Sequence, residues 1–157
     1  MQKTNRSSIN SKKSLNNYFA NKWRKNEGNE QTIFFCDIAL NNFPKWLNED
    51  LKKGISLADV GCAMGECVNI LQNKYKKSNV VGIDFSLVAI KEAKKNYPTK
   101  HFLCKSLTNL ENKYDAVFCS NTLEHFHNPL NKLKKMMNFV KKYVIIRFFR
   151  YRLYIPH

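Results

Sequence analysis

Leu57-Ala58-Asp59-Val60-Gly61-Cys62-Ala63-Met64-Gly65-Glu66 is the stretch whose reading decides the fold. It continues an apolar run that opens at Ile55 and is short enough for a buried strand. Gly61 and Gly65 then bracket a turn into a segment where Met64, Val68, Leu71 and Tyr75 recur at helical spacing. The same succession continues downstream. Strands are expected at Ile55–Val60, Asn79–Ile83, His101–Lys105, Tyr114–Cys119 and Tyr143–Ile146, with Leu87, Ile90, Ala93 and Tyr97 marking a helix closed by Pro98. Asn128 can cap a last helix and Pro129 suits its first turn, so Leu130, Leu133, Met137 and Val140 are expected as its buried stripe. Short apolar runs alternating with amphipathic stretches imply parallel strands joined by crossover helices. The fold class is therefore α/β, an open, doubly wound, mainly parallel sheet of about five strands.

At 157 residues and 43% hydrophobic content the chain has room for one domain with a real core. Residues 1–14 are rich in Ser, Asn and Lys, cannot bury enough surface to offset ordering entropy, and are expected as a disordered or loosely docked arm before a domain at 15–157. Between Leu15 and Leu47 the aromatics Tyr18, Phe19, Trp23, Phe34, Phe35, Phe43 and Trp46 fit one or two helices broken near Gly28 and Pro44. Most are expected in the core, with a few in a substrate pocket.

No stretch approaches the roughly 18 to 20 apolar residues of a membrane span, and Met1–Asn17 lacks the apolar centre of a signal peptide, so cytoplasmic residence is expected. Five cysteines without a Cys-x-x-Cys pair read as reduced structural thiols, and no metal site is expected. A formal charge of +15 would ordinarily suggest an anionic partner such as nucleic acid. Here the lysines are spread along the whole chain beside twenty asparagines, the bias of an AT-rich coding sequence. Nucleic acid is thus a possible partner but not the favoured one.

In a doubly wound sheet the ligand lies beyond the carboxyl ends of the central strands. Glycines in the turn after the first strand let a ligand lie directly on the main chain. Spacing then separates the ligands. A dinucleotide fingerprint beginning at Gly61 would need glycine where Ala63 and Glu66 stand, and a P-loop would need Gly-Lys-Ser/Thr where Gly65-Glu66-Cys67 stands. Asp59 and Glu66 instead suit a ligand with cationic groups, and S-adenosylmethionine (SAM) carries both an ammonium and a sulfonium. Asp84, ending Val80-Val81-Gly82-Ile83-Asp84, stands where a carboxylate can accept from both ribose hydroxyls of any adenosine ligand; the alternative is a helix N-terminal acid beside Ser86.

From Asn16 to Ile146 the chain resembles the class I SAM-dependent methyltransferases, particularly small-molecule methyltransferases with an Asp-Val-Gly-Cys loop. Three stretches carry the resemblance: Leu57 to Glu66, Val80-Val81-Gly82-Ile83-Asp84-Phe85-Ser86, and Tyr114-Asp115-Ala116-Val117-Phe118-Cys119-Ser120-Asn121-Thr122-Leu123-Glu124-His125. The resemblance implies a Rossmann-like sheet and SAM as cofactor. It implies that Asp59, Gly61, Ala63 and Gly65 hold the methionine part, with Cys62 also among the cofactor-binding residues, Asp84 the ribose, Phe85 near the adenine, and Ser120 and Asn121 the sulfonium side. Ala63 replaces the family's middle glycine. Ser106 stands where the family often has an acid toward the adenine amino group.

Methyl transfer is an in-line displacement in which alignment supplies much of the rate, with a base needed only for some acceptors. Glu124 and His125 are the candidates for that role, since the end of the fourth strand should face the transferred methyl. The alternative for His125 is a purely structural histidine, and His127 is read as a loop residue. The family's sheet has seven strands, whereas this chain stops after the fifth in the basic, aromatic tail Arg147 to His157. The expectation is a truncated domain without the final hairpin, with an uncovered sheet edge that invites self-association. The tail also reads as a partner-binding or membrane-surface segment. The favoured reading is an enzyme acting on a small-molecule acceptor such as a cell-surface sugar or lipid precursor. An RNA or tRNA methyltransferase, and a non-catalytic remnant that binds SAM without forming S-adenosylhomocysteine (SAH), are the alternatives; a nucleotide-dependent oxidoreductase fails on glycine spacing.

Overall fold

The computed structural model describes residues 11–147. Ser11 opens the first helix, α1 (Lys12–Asn21), its Oγ accepting from the backbone N–H of Ser14 at 3.1 Å. A 3-10 turn at Arg24–Asn26 follows, then α2 (Gly28–Asn41) and α3 (Lys45–Lys53). Glu27 takes a left-handed conformation between the turn and α2, and Pro44 and Gly54 bound α3. The breaks fall at Gly28 and Pro44 as expected, but they separate three helices rather than one or two. Of the arm expected over 1–14, residues 1–10 lie outside the described residues, and Lys12 to Ser14 form the first turn of α1.

From Ser56 the chain alternates: β1 (Ser56–Val60), α4 (Glu66–Lys74), β2 (Asn79–Asp84), α5 (Leu87–Asn96), β3 (His101–Cys104), β4 (Tyr114–Ser120), α6 (Pro129–Met137) and β5 (Val140–Arg147). The five strands form one sheet in the order β3-β2-β1-β4-β5, every neighbouring pair parallel. This is the Rossmann-like architecture the alternation implied. Ser56 stands opposite Asn79, Leu57 opposite Ala116, Val81 opposite His101 and Tyr114 opposite Val140. After β3 the chain returns to the far side of β1, so the strand order reverses between β1 and β4, where such sheets open a crevice.

Side chains alternate across the sheet. Leu57, Val80, Ala116 and Phe118 pack with Leu40, Leu47, Leu51, Val68 and Leu71 of α2, α3 and α4. Ala58, Val60, Val81, Ile83 and Val117 pack on the other face with Leu123, Met136 and Phe139. The start of β1 is pinned to β4 by a clasp: Asp115 Oδ2 accepts from Ser56 N (2.9 Å) and Ser56 Oγ (2.7 Å), while Asp115 N donates to Ser56 Oγ (2.9 Å). These bonds hold the Asp115 carboxyl below its ordinary range, with Lys141 adding to the effect at 3.6 Å.

Two packing expectations need correction. In α6, Leu130 (70% exposed) and Met137 (58%) face outward, whereas Met136 is fully buried and Leu133 packs beside it. The helix ends at Met137, so Val140 belongs to β5 and cannot extend a helical stripe. Among the aromatics before Leu47 only Phe19 and Phe43 are buried. Phe34 and Trp46 are exposed, the latter with its ring on Tyr143. Cys36, Cys62, Cys67 and Cys119 are buried, Cys104 is exposed, and all five are free thiols. Among the described residues no helix is long and apolar enough to cross a membrane.

Candidate active site

The turn after β1 is built by its own hydrogen bonds. Gly61 N and Cys62 N both donate to the carbonyl of Ile83 (2.8 and 3.2 Å), drawing the turn against the end of β2, and Gly65 N closes it on Cys62 O at 3.0 Å. Gly61 (φ 80°) and Gly65 (φ 93°) lie in the left-handed region. A Cβ at Gly61 would collide with the side chain of Thr122, and one at Gly65 would fall 2.7 Å from Phe102 Cζ. Both positions therefore need glycine for packing as well as for conformation. Ala63, where the sequence departs from glycine, also takes positive φ (48°) and is buried, so the loop keeps its course despite the Cβ.

Asp84 ties this loop to the next one. Its Oδ2 accepts from Ala63 N (3.2 Å) and its Oδ1 from Ser86 N (2.8 Å). Ser86 caps α5 through Ala89 N (3.2 Å) and donates its hydroxyl to Asn16 Oδ1 at 2.6 Å. Asn16 thus fastens α1 across the loop ends. Above them opens a cavity of about 1190 Å³, in a crevice at the carboxyl edge of β2, β1 and β4.

Asp59, Gly61, Cys62, Ala63, Asp84, Phe85, Ser106, Ser120, Asn121 and His125 all line that cavity. Two expected residues do not. Gly65 sits behind the turn at the head of α4, and Glu124 occupies a 3-10 turn (Leu123–His125) outside the wall, leaving His125 exposed at the mouth. Glu66 is also outside the wall, buried at the start of α4 with both carboxylate oxygens unpartnered. Tyr18, Phe19 and Trp23, which roof the cavity from α1 and the turn after it, and Phe35 are the few early aromatics that line it, as the sequence reading expected without saying which; Thr122 in the wall was not singled out. The dense aromatics before Leu47 were the available signal for the roof. Asn16, one asparagine among twenty, offered none.

The buried charged groups at the ends of β1 and β2 are all acids, while Lys22, Lys105 and Lys132 line the rest of the wall. Asp59 is 3% exposed and its Oδ2 has no hydrogen-bond partner. Burial, followed by the charges of Asp84 and Glu66, pushes its carboxyl up to about 7. Burial also raises Asp84, against the opposing backbone N–H groups of Ser86, Ala63 and Phe85, and it raises Glu66. Across the cavity, Ser120 Oγ and Asn121 Oδ1 are enclosed without partners, and Asn121 itself has positive φ (50°). Burial raises the Cys62 thiol well above its ordinary range and takes Cys119 to about 12, so neither is a nucleophilic thiolate. Among the described residues no group of three or more His, Cys, Asp or Glu side chains is placed to hold a metal ion.

A family model described as a methyltransferase domain matches residues 57–143, more than half of the chain. The chain belongs to the methyltransferase-domain family. Among curated relatives, the 235L protein of Invertebrate iridescent virus 6, which carries a methyltransferase name, is 33% identical over 88 residues, covering 50% of this chain and 33% of the relative. The mitochondrial ubiquinone biosynthesis O-methyltransferase of Saccharomyces cerevisiae is 31% identical over 94 residues, covering 55% and 30%. The chain thus spans about a third of the curated relatives it matches. Among solved structures, the plantazolicin methyltransferase BpumL in complex with SAH and a monoazolic analogue superposes with a TM-score of 0.69 at 22% identity, over 90% of this chain and 59% of that one. Magnesium protoporphyrin IX methyltransferase from Synechocystis PCC 6803 with bound SAH superposes at 0.66 and 21% identity, over 87% and 71%. These likenesses establish the fold of this methyltransferase domain.

Proposed function

We propose that this methyltransferase domain binds SAM in the cavity at the end of β1 and transfers its methyl group to a small-molecule acceptor. The supporting observation is Asp59, a carboxylate sealed from water in the cavity wall with one oxygen unpartnered, where an ammonium would supply the missing donors. The backbone turn at Gly61–Gly65 leaves the main chain open to that ligand. Asp84 spends one lone pair of each oxygen on backbone N–H groups and keeps the others for the ribose hydroxyls. Phe85 lies beside the adenine position with Ser106, whose hydroxyl pairs with Thr108. Ser120 and Asn121 would line the sulfonium side, each with an enclosed, unpartnered oxygen.

SAM, when bound, supplies an electrophilic methyl whose departure leaves a neutral thioether. A bound SAM would offer that methyl to a lone pair on the acceptor's oxygen or nitrogen, the electron pair of the severed carbon–sulfur bond staying on sulfur. The acceptor's proton passes to water or to the imidazole of His125 at the cavity mouth. Glu124, outside the wall, is assigned no proton step. The relatives named for plantazolicin, magnesium protoporphyrin IX and ubiquinone biosynthesis support an acceptor of small-molecule size.

Calorimetric titration with SAM tests this reading. The intact chain should bind and Asp84→Ala should bind at least about tenfold more weakly, the loss of hydrogen bonds to a buried carboxylate. A folded intact chain that gives no binding isotherm would refute it.

A further inference from the structure

Helix α1 leans on the cavity it covers. It is ten residues long, below the roughly 12–15 at which an isolated helix holds in water, and Phe19 is its only buried residue. Phe19 shares one apolar cluster with Ala63 and Met64 of the turn after β1 and with Ala89 of α5. The methyl group of Ala63, where a glycine would offer none, is thus part of the seat of α1. The order of this helix therefore depends on the loops that form the site.

Its second attachment is Asn16. One oxygen, Asn16 Oδ1, accepts from the hydroxyl of Ser86 at 2.6 Å and from Val88 N at 3.5 Å. Ser86 is fully buried, and its backbone N–H donates to Asp84 Oδ1 at 2.8 Å. Two hydrogen bonds in series therefore join α1 to the carboxylate proposed for the ribose, and Phe85, proposed beside the adenine, lies between them. Beyond the far end of α1 the chain is fixed to α2. Trp23 packs on Gly28, where a Cβ would collide with its ring, and it donates its indole N–H to Asn29. Arg24 reaches Glu92 of α5 at 3.3 Å in an exposed ion pair of little weight. Helix α1 is thus hinged at Trp23 and latched over the site by Asn16 and Phe19, with Leu15, Tyr18 and Phe19 lining the cavity beneath it.

We propose that α1 is a strap over the cofactor, and that Asn16 is a positioning residue coupling its docking to cofactor binding through Ser86 and Asp84. The proposal rests on the reading of this cavity as the cofactor site. With α1 undocked, the Ser86 hydroxyl loses its acceptor and the Asp84-Phe85-Ser86 loop loses a constraint, so a ligand meets a less ordered wall and no roof. Such coupling is reciprocal: whatever factor docking of α1 adds to affinity, the bound cofactor returns to the docking of α1. It also assigns a route for entry and release, since a ligand beneath Leu15, Tyr18 and Phe19 leaves when the strap lifts about Trp23.

The test combines amide hydrogen exchange over residues 12–21 with calorimetric SAH affinity, on the full chain, Asn16→Ala and Asn16→Asp, each checked by thermal melting. In the unaltered chain saturating SAH should slow exchange in α1 by at least about tenfold. Asn16→Ala should weaken SAH by at least about fivefold and, at equal saturation, cut the slowing to less than about threefold. Asn16→Asp, which keeps the acceptor oxygen, should retain most of both effects. A merely structural Asn16 predicts otherwise: its loss would speed α1 exchange equally with and without SAH and leave the affinity within about twofold. That result overturns the proposal, as does an Asn16→Asp no better than Asn16→Ala. SAH binding that leaves α1 exchange unchanged sinks the strap alone, whereas a folded, unaltered chain that binds no SAH sinks the cofactor reading and the strap together.

Discussion

Lowering the pH from 7 to 6 should weaken SAM binding by about fivefold through Asp59 alone. The carboxyl is held at about 7 by burial and by the charges of Asp84 and Glu66. If only the ionised form accepts the ammonium, the competent fraction is about one half at pH 7 and about one eleventh at pH 6, falling close to tenfold for each further unit. Over this range the ligand's α-amino group, ordinarily near 8, stays mostly protonated, so the loss belongs to the protein. Asp84, also raised, acts in the same direction, and Asp59→Asn isolates the contribution of interest. Calorimetry at fixed ionic strength from pH 5.5 to 7 should show a steeper decline for the unaltered chain than for Asp59→Asn, whose affinity should already be low at pH 7. Identical slopes would refute the reasoning, as would an affinity that does not change with pH.

The same carboxyl makes a prediction about the ligand-free domain. A group raised from 3.8 to about 7 carries no penalty below pH 4, an increasing one between pH 4 and 7, and the full one above. Asp59→Asn should therefore stabilise the ligand-free chain above pH 7, by up to roughly 4 kcal/mol from the shift and by about 1–2 kcal/mol once the unpaired amide is counted. Urea unfolding at pH 8 and pH 4 measures this, and an equal effect at both would count against it. Met136→Ala should cost about 2–4 kcal/mol as a buried truncation, whereas Met137→Ala should fall within about 0.5 kcal/mol of neutral. Comparable losses would mean that the outward face of α6 has been misassigned.

The strands were legible because parallel strands buried on both faces read as short apolar runs, and all five expected runs overlap an observed strand. The turn was legible through Gly61 and Gly65, whose spacing left few backbone paths. The face of α6 was not. Met136 and Met137 are adjacent and equally apolar, so periodicity admits two phases about 100° apart, and the choice depends on Phe139 and Leu123, which lie outside the helix. The exposure of Phe34 and Trp46 had no signature either, since one face of a helix cannot be told from another before its neighbours are known. Among site residues, Asp59 and Asp84 announced themselves at strand ends.

The all-parallel register has a kinetic consequence. No two adjacent strands are joined by a tight turn: about twenty residues separate Val81 from its partner His101, and about sixty separate Leu57 from Ala116. Each pairing must close a long loop before any ladder rewards it, and β1, the central strand, cannot be enclosed on both sides until β4 arrives. The clasp between Ser56 and Asp115 stands at that most distant junction. Weakening it is expected to slow that closure and prolong the lifetime of half-assembled sheets with apolar edges exposed to other chains, which refolding kinetics of Ser56→Ala would measure.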